Sequence, residues 1–434
     1  MAAVSTPAEA DVDDGGLRRS ITGRQLFFYT LGDVLGSGIY VLIGLVAAAV
    51  GGAFWIAFAV GVSVAAITGT AYAELVTKYP QAAGAALYVN KAFGNKALTF
   101  LITVSFLSAS FAAAGSLATG FSQYFAELFS SAPALVVSLL FIAALSIVNF
   151  IGITESVVIN MAMAFIEIVG LLIVMFIGIW YVAEETIDPH KSFPRSLIGG
   201  MLTAGVIYVL VSMAAALTVP TDKLAGSDAA LLEVVKAGIL PFAGDWMITL
   251  FTIIALVAIT NTTLVVVVTQ PRILYGMANE DVVPGVFARI HSTRRSPWVG
   301  LLFSAVVVCS LLVIGTLLTE AGAGLDLVAR LATVTVVFLL FIYALVIVAA
   351  LKLGGQDEDE RTFKANRPLL VVGLLGNLAI LVWSIQDDPS SLLWCAGLVA
   401  LGVVLYLIEK VFGSRTRPPG AASGDPAAAN VKGV

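Results

Sequence analysis

The first long apolar segment of the chain contains the sequence Gly32-Asp33-Val34-Leu35-Gly36-Ser37-Gly38-Ile39-Tyr40. If this segment crosses a membrane, its three glycines, serine and ionisable aspartate stand where lipid favours an unbroken helix. Hydrocarbon offers no partner for a freed backbone N–H or C=O, so irregular backbone is tolerated there only where it lines a cavity. The stretch therefore indicates a candidate ligand site. The alternative is that Gly36 and Gly38 only let another helix pack closely.

The composition is that of a membrane protein with many spans. Hydrophobic residues make up 59% of the chain and charged residues 12%, whereas soluble domains have roughly 45–50% and 25%. The mean hydropathy of +1.00 agrees. The N-terminus is polar and acidic before it becomes basic, which is not the pattern of a signal peptide. Cys309 and Cys395 both lie in apolar runs, so no disulfide framework is expected. With two histidines and no His/Cys cluster, no metal site is expected.

Eleven apolar segments are long enough to cross a membrane, which takes roughly 20 residues each. They lie at about 25–48, 54–76, 97–125, 133–151, 157–182, 196–219, 243–270, 299–318, 326–352, 367–386 and 391–411. The predicted organisation is a cytoplasmic N-terminal tail (1–24), a membrane domain (25–412) and a disordered C-terminal tail (413–434).

The charges of the connections do not fit eleven spans. Short loops rich in Lys and Arg stay in the cytoplasm, and the connections at 78–96 and 183–195 are both basic. An even number of crossings should therefore separate them, but the apolar segments between them number three. The charge pattern predicts that one crossing is missing between residues 97 and 195.

Several motifs resemble, in order along the chain, those of amino acid–polyamine–organocation (APC) permeases. They are Gly36-Ser37-Gly38-Ile39, Tyr72-Ala73-Glu74-Leu75 with Tyr79-Pro80, Asn149-Phe150-Ile151-Gly152, Glu184-Glu185 with Pro189, and Arg272 with Tyr275. The resemblance runs from about residue 20 to 410.

The resemblance implies an all-α transporter fold of five-plus-five inverted repeats with two further C-terminal helices. The first helix of each repeat is then broken at mid-membrane, with the substrate between the breaks. By resemblance, Ser37, Gly38 and Ile39 meet the carboxylate of an amino acid, and carbonyls near Val34 and Leu35, beside Gly36, meet its ammonium. A half-helix N-terminus suits a carboxylate because it offers unpaired N–H groups and a positive dipole end.

The chain departs from this family where the second broken helix is expected. The segment ending at Trp180-Tyr181 runs directly into Glu184-Glu185 and Pro189, which resemble only the cytoplasmic end of the sixth span. The resemblance and the charge pattern therefore point to the same missing crossing, near residues 182–184, and to 11 spans instead of 12.

Four residues are candidates for ion or proton coupling. Glu167 lies near the middle of its apolar segment, where an ionisable residue is a functional hypothesis by default. Asp33 stands beside the glycines, and Asn261 and Thr262 interrupt an apolar span where family members approach an ion site. The alternatives are a neutral, hydrogen-bonded Glu167, a structural Asp33 that pairs with Arg24 or caps backbone, and ordinary interhelical hydrogen bonds from Asn261 and Thr262.

The leading functional interpretation is a secondary active amino acid transporter of the cell membrane that works by alternating access. Its expected partners are an amino acid, a proton or counter-substrate, and the lipid bilayer, with no cofactor and no nucleic acid. The alternative is a permease-derived membrane protein that does not transport because half of its substrate site is absent. No GxxxxGK[ST] loop is present, which disfavours an ATP-driven pump. No nucleophile–base pair is visible either, which disfavours a membrane enzyme.

Overall fold

The computed structural model describes residues 37–79, 84–151, 189–237, 245–279, 283–291, 296–323, 326–356 and 362–412, with residues 163, 166 and 294. Within these ranges the secondary structure is helical, and no strand is found. The α-helices are α1 (Ser37–Val50), α2 (Phe54–Lys78), α3 (Gly84–Phe93), α4 (Lys96–Leu128), α5 (Ala134–Ile151), α6 (Pro189–Thr218), α7 (Thr221–Ala225), α8 (Ala230–Lys236), α9 (Asp245–Asn279), α10 (Trp298–Leu318), α11 (Leu327–Lys352), α12 (Arg367–Asp387) and α13 (Ser391–Phe412). These numbers count the described helices, so α6 is not the sixth span of the family.

Local chemistry explains where several helices begin. Asn95 caps α4 by accepting hydrogen bonds from the backbone N–H groups of Ala97 and Leu98. Asp326 caps α11 and Asn366 caps α12 in the same way. These side chains satisfy N–H groups that have no partner within the helix.

The predicted spans are confirmed as helices wherever the structure describes them. Nine stretches in those ranges are long and apolar enough to cross a membrane, with Gly38–Lys78 counted as one. The predicted span at 157–182 and the first part of the span at 25–48 lie outside the described residues, as does the expected junction at 182–184.

Two helices extend furthest beyond their predicted ends. Helix α6 begins at Pro189 instead of 196, and α9 continues to Asn279 instead of 270. The apolar run of α9 ends at Pro271, but this proline lies inside the helix. Gly300 of α10 leaves room beside it, since a Cβ at position 300 would lie 3.2 Å from Pro271 Cα.

The helices pack around three apolar cores. Helix α4 is central to one of them, packing extensively against both α9 and α11, while α2 packs along α6. A second core joins α1 to α6, α7, α8 and the first half of α9. The third joins the last turns of α2 to α3, α4, α11 and α12.

The contacts between α2 and α6 show that the end of α2 and the start of α6 lie on the same face of the molecule. A Cβ at Gly69 would meet Met201, and one at Gly205 would meet Val62, so the two helices run antiparallel. Helix α6 therefore begins on the face where α2 ends at Lys78. We call this the basic face, because Lys78, Lys91 and Lys96 lie at helix ends there.

Helix α5 also ends on the basic face. Helix α4 begins there, because Ile102 shares a core with Leu75. Ser138, near the start of α5, donates a hydrogen bond of 3.0 Å to the carbonyl of Ala118, in the second half of α4. Helix α5 thus runs back, and Ile151 and the start of α6 lie on the same face of the molecule.

Candidate functional site

The described part of the predicted substrate site is the first turn of α1. Ser37, Gly38 and Ile39 belong to this turn, which is where the described part of α1 begins. Ile39 is fully buried. Asp33, Val34, Leu35 and Gly36 lie outside the described residues, so the break before α1 and their roles remain predictions.

Tyr208 of α6 lies directly beside Gly38. A Cβ at position 38 would be 3.4 Å from the Tyr208 hydroxyl oxygen, so the phenol faces the backbone of the first turn. The Tyr208 ring packs edge-on against Phe58 of α2, with centroids 6.0 Å apart. Sequence reasoning missed Tyr208, because one tyrosine in an apolar helix carries no signal of which way it faces.

Helix α1 is fixed from two other sides. The buried hydroxyl of Tyr124, in α4, donates a hydrogen bond of 3.0 Å to the backbone carbonyl of Tyr40. The Tyr40 ring lies 5.9 Å from that of Phe251 in α9. Helix α1 is therefore held between α4, α6 and α9.

Helices α7 and α8 cover the far end of α1, and we call residues 221–236 the cap. A Cβ at Gly44 of α1 would lie 2.9 Å from the carbonyl oxygen of Leu224 and 3.1 Å from Ala230 Cβ. The cap buries its apolar side chains against α1, among them Leu231 and Leu232. Gly44 is thus the point where the cap approaches the backbone of α1.

Polar contacts also tie the cap to α4. Gln123 donates a hydrogen bond of 3.1 Å to Asp228, and Lys236 forms an ion pair of 3.2 Å with Glu127. Partial burial lowers the pKa of Lys236, but hydrogen bonds to Glu233 and Glu127 outweigh this and raise the pKa above its usual value. The face opposite the basic face is therefore closed over α1 in this conformation.

Asn261 and Thr262 lie on α9, which also contacts α1. Asn261 is fully buried, Thr262 is partly buried, and both interact with other residues. They are ten and eleven residues beyond Phe251, roughly 15 Å along the helix. This placement is compatible with both the ion-site hypothesis and the packing alternative, and the coupling role remains a prediction.

The described helices carry Asp, Glu, Lys, Arg and His only within about two turns of their ends. No group of three His, Cys, Asp or Glu that could hold a metal ion occurs in the described ranges. Glu167 and Asp33, the ionisable residues predicted to act inside the membrane, both lie outside the part of the chain that the structure describes.

Comparison with known proteins identifies the family of this chain. A family model described as amino acid permease matches residues 21–190 and 176–405. The chain belongs to the amino acid permease family. This membership confirms the resemblance that the sequence motifs indicate.

Two transporters of Bacillus subtilis illustrate the relationship. This permease is 22% identical to the branched-chain amino acid permease over 417 residues, covering 82% of this chain and 86% of the relative. It is 24% identical to the methylthioribose transporter over 460 residues, covering 90% and 93%. Relatives named as transporters, together with the membrane-spanning helices, assign the permease to membrane transport and to the multi-pass membrane proteins.

A solved structure agrees in fold. A mutant of the Eremococcus coleocola manganese transporter superposes with a TM-score of 0.56 at 16% identity, covering 93% of this chain and 97% of that chain. At this identity the likeness concerns the fold alone. It confirms the all-α transporter architecture expected from the sequence.

Proposed function

We propose that this permease is a secondary active transporter of amino acids in the cell membrane and that it works by alternating access. The observation that carries the proposal is the first turn of α1, where the backbone of Gly38 lies beside Tyr208. The first-turn N–H groups and the positive end of the helix dipole suit the carboxylate of an amino acid. Val34, Leu35, Gly36, Ser37, Gly38 and Ile39 together form this half of the proposed site.

Transport is proposed to be coupled to a proton or to a counter-substrate. The described helices carry no Asp, Glu, Lys, Arg or His near their middles, and Glu167 and Asp33 are the proposed protonatable groups. Asn261 and Thr262 are proposed to lie near the coupling site on α9. An intramembrane carboxyl that exchanges protons is a common part of such coupling.

Glutamine at position 167 tests this coupling. If Glu167 carries the coupled proton, Glu167→Gln should abolish the dependence of uptake on a pH gradient in proteoliposomes, while exchange of internal for external amino acid continues. Asn261→Ala tests the other candidate coupling position, on α9, in the same assay. Uptake by Glu167→Gln that still follows the pH gradient would contradict the coupling role.

The alternative function is that of a permease-derived protein that does not transport, and one structural observation favours it. Ile151 and the start of α6 lie on the same basic face, so the chain between them must cross the membrane an even number of times. The one apolar segment predicted there, at 157–182, gives an odd number. Residues 152–188 are too few for two spans of roughly 20 residues each.

Two features of the comparisons are compatible with this alternative, without giving the position of a missing crossing. The alignment with the methylthioribose transporter runs over 460 positions, more than the 434 residues of this chain, so it includes residues of the relative without a counterpart here. The family match consists of two pieces, 21–190 and 176–405, which overlap over residues 176–190. Sequencing the coding DNA between Trp180 and Glu184 would test whether a span is encoded there.

Reporter fusions and uptake together separate the two functions. Reporters inserted at 183–195 and at 271–298 should both report a cytoplasmic position. Helix α6 begins on the basic face, and Ser296 donates a hydrogen bond to the carbonyl of Phe150, at the end of α5 on that face. Proteoliposomes should accumulate labelled amino acids, tested first with branched-chain ones. Two external reporters would contradict the proposed topology. Cytoplasmic reporters without any uptake across a panel of amino acids would favour the alternative.

A further inference from the structure

Glu74, in the last turns of α2, is a fully buried carboxylate with three donors. Its Oε1 accepts a hydrogen bond of 2.7 Å from Arg367 at the start of α12 and lies 3.5 Å from the Lys78 ammonium. Its Oε2 accepts a bond of 3.0 Å from the backbone N–H of Ala365. A buried carboxylate is stable only when paired and hydrogen-bonded in this way.

The two cations extend the network to the end of α11. Arg367 donates a bond of 2.8 Å to the carbonyl of Ala350, and Lys78 donates one of 2.6 Å to the carbonyl of Leu353. These carbonyls belong to the C-terminal end of a helix, where they lack helical partners and the dipole favours positive charge. Glu74 with its two cations carries one net positive charge, and the helix-end carbonyls of α11 stabilise this charge.

The contact between α2 and α12 continues into the membrane. Asn377 donates a hydrogen bond of 3.0 Å to Thr68, and both side chains are buried. A Cβ at Gly376 would lie 3.9 Å from Val64 Cβ, and one at Gly373 would lie 3.1 Å from Ile67 Cβ. Glycines and buried polar groups let membrane helices approach closely and hold together. We call residues 64–78 and 365–377 together the seam.

We propose that Glu74 anchors the seam as a fixed pivot, so that α2 and α12 stay together while α1 and α4 separate and rejoin during transport. Rocking of one group of helices against another leaves some contacts intact and breaks others. The seam combines ionic, polar and glycine contacts over about three turns. The contact of α1 with α4 includes one buried hydrogen bond, Tyr124 to the Tyr40 carbonyl. This proposal rests on the proposed alternating-access transport.

Two disulfides in the full-length permease test the pivot. The seam pair is Val64→Cys with Gly376→Cys, whose Cβ–Cβ distance of 3.9 Å lies within the usual disulfide range of roughly 3.5–4.5 Å. The control pair is Val41→Cys with Gly120→Cys, which joins α1 to α4 with a Cβ–Cβ distance of 3.3 Å, just below that range. Both pairs are built in a chain without Cys309 and Cys395 and reconstituted in proteoliposomes.

The seam disulfide should leave uptake within about twofold of the reduced protein, whereas the control disulfide should lower uptake at least tenfold, reversibly with a reductant. A seam disulfide that blocks uptake until it is reduced would overturn the pivot. Undiminished uptake with the control pair oxidised would equally overturn the proposal, because transport would then not require α1 and α4 to separate.

If the protein transports no amino acid in either the oxidised or the reduced state, only the transport proposal is contradicted. The anchoring role of Glu74 is then tested by the yield and rate of disulfide formation. A fixed seam should oxidise nearly completely and at similar rates with Glu74 or with Glu74→Asp. Glu74→Gln, which leaves Arg367 and Lys78 without the carboxylate, should slow oxidation several-fold. Slow, partial oxidation with Glu74 intact, or an unchanged rate in Glu74→Gln, would refute the anchoring role.

Discussion

Valine at position 38 should lower amino acid uptake by this permease by about 10-fold to 100-fold, mainly through a higher KM. A Cβ at this position already lies 3.4 Å from the Tyr208 hydroxyl oxygen. The two methyl groups of valine must then occupy the space beside the first-turn backbone, where the substrate carboxylate is proposed to bind. Losing one charged hydrogen bond of about 1.5–3 kcal/mol weakens substrate affinity by roughly the same 10-fold to 100-fold factor.

Graded substitutions separate this effect from general damage. Gly38→Ala should reduce uptake less than Gly38→Val, because one methyl group only touches the Tyr208 hydroxyl. Gly397→Val is the matched control, since Gly397 is also a glycine in a membrane helix and has nothing within 4 Å of its Cβ position. The measurement is the concentration dependence of uptake into proteoliposomes. Unchanged kinetics in Gly38→Val would remove the proposed carboxylate site.

The helices of the permease could be predicted because hydrocarbon requires a simple pattern. An apolar run of about 20 residues is both necessary and nearly sufficient for a span, so the ends of α5, α10 and α11 were predicted within one residue. The predicted span ended at about residue 270, where the apolar run stops, but α9 continues through Pro271 to Asn279. Proline is tolerated inside membrane helices where neighbouring groups compensate for the lost hydrogen bond, and Gly300 makes room for it here.

The contacts that shape the site could be predicted much less well. Hydrophobicity gives the length of a helix but not its rotation, so it did not reveal that Tyr124 and Tyr208 face α1. The partner of Glu74 is Arg367, 293 residues away, and the sequence gives no link between them. The cap was not predicted, because its two helices are much shorter than a membrane span. Its apolar residues between Ala229 and Val235 were the signal that it packs on another element.

Valine at position 44 should prevent the cap from closing over α1. A Cβ there would lie 2.9 Å from the carbonyl oxygen of Leu224 and 3.2 Å from that of Ser227. Both are backbone atoms, which cannot rotate away as the end of a side chain can. The cap must therefore move as a unit, against the burial of Leu231 and Leu232 and the ion pair of Lys236 with Glu127.

The displaced cap should be detectable from outside the membrane. With Cys309 and Cys395 replaced, a cysteine at position 230 should be nearly inert towards a membrane-impermeant maleimide, because Ala230 is 2% exposed. Gly44→Val should raise its labelling rate at least tenfold and lower uptake by a similar factor, since alternating access requires one side to close before the other opens. Gly52→Val is the matched control, because its Cβ would make only an ordinary contact of 3.5 Å with the Thr221 hydroxyl. Unchanged labelling in Gly44→Val would show that the cap does not depend on Gly44, and faster labelling with full uptake would show that transport does not depend on the cap.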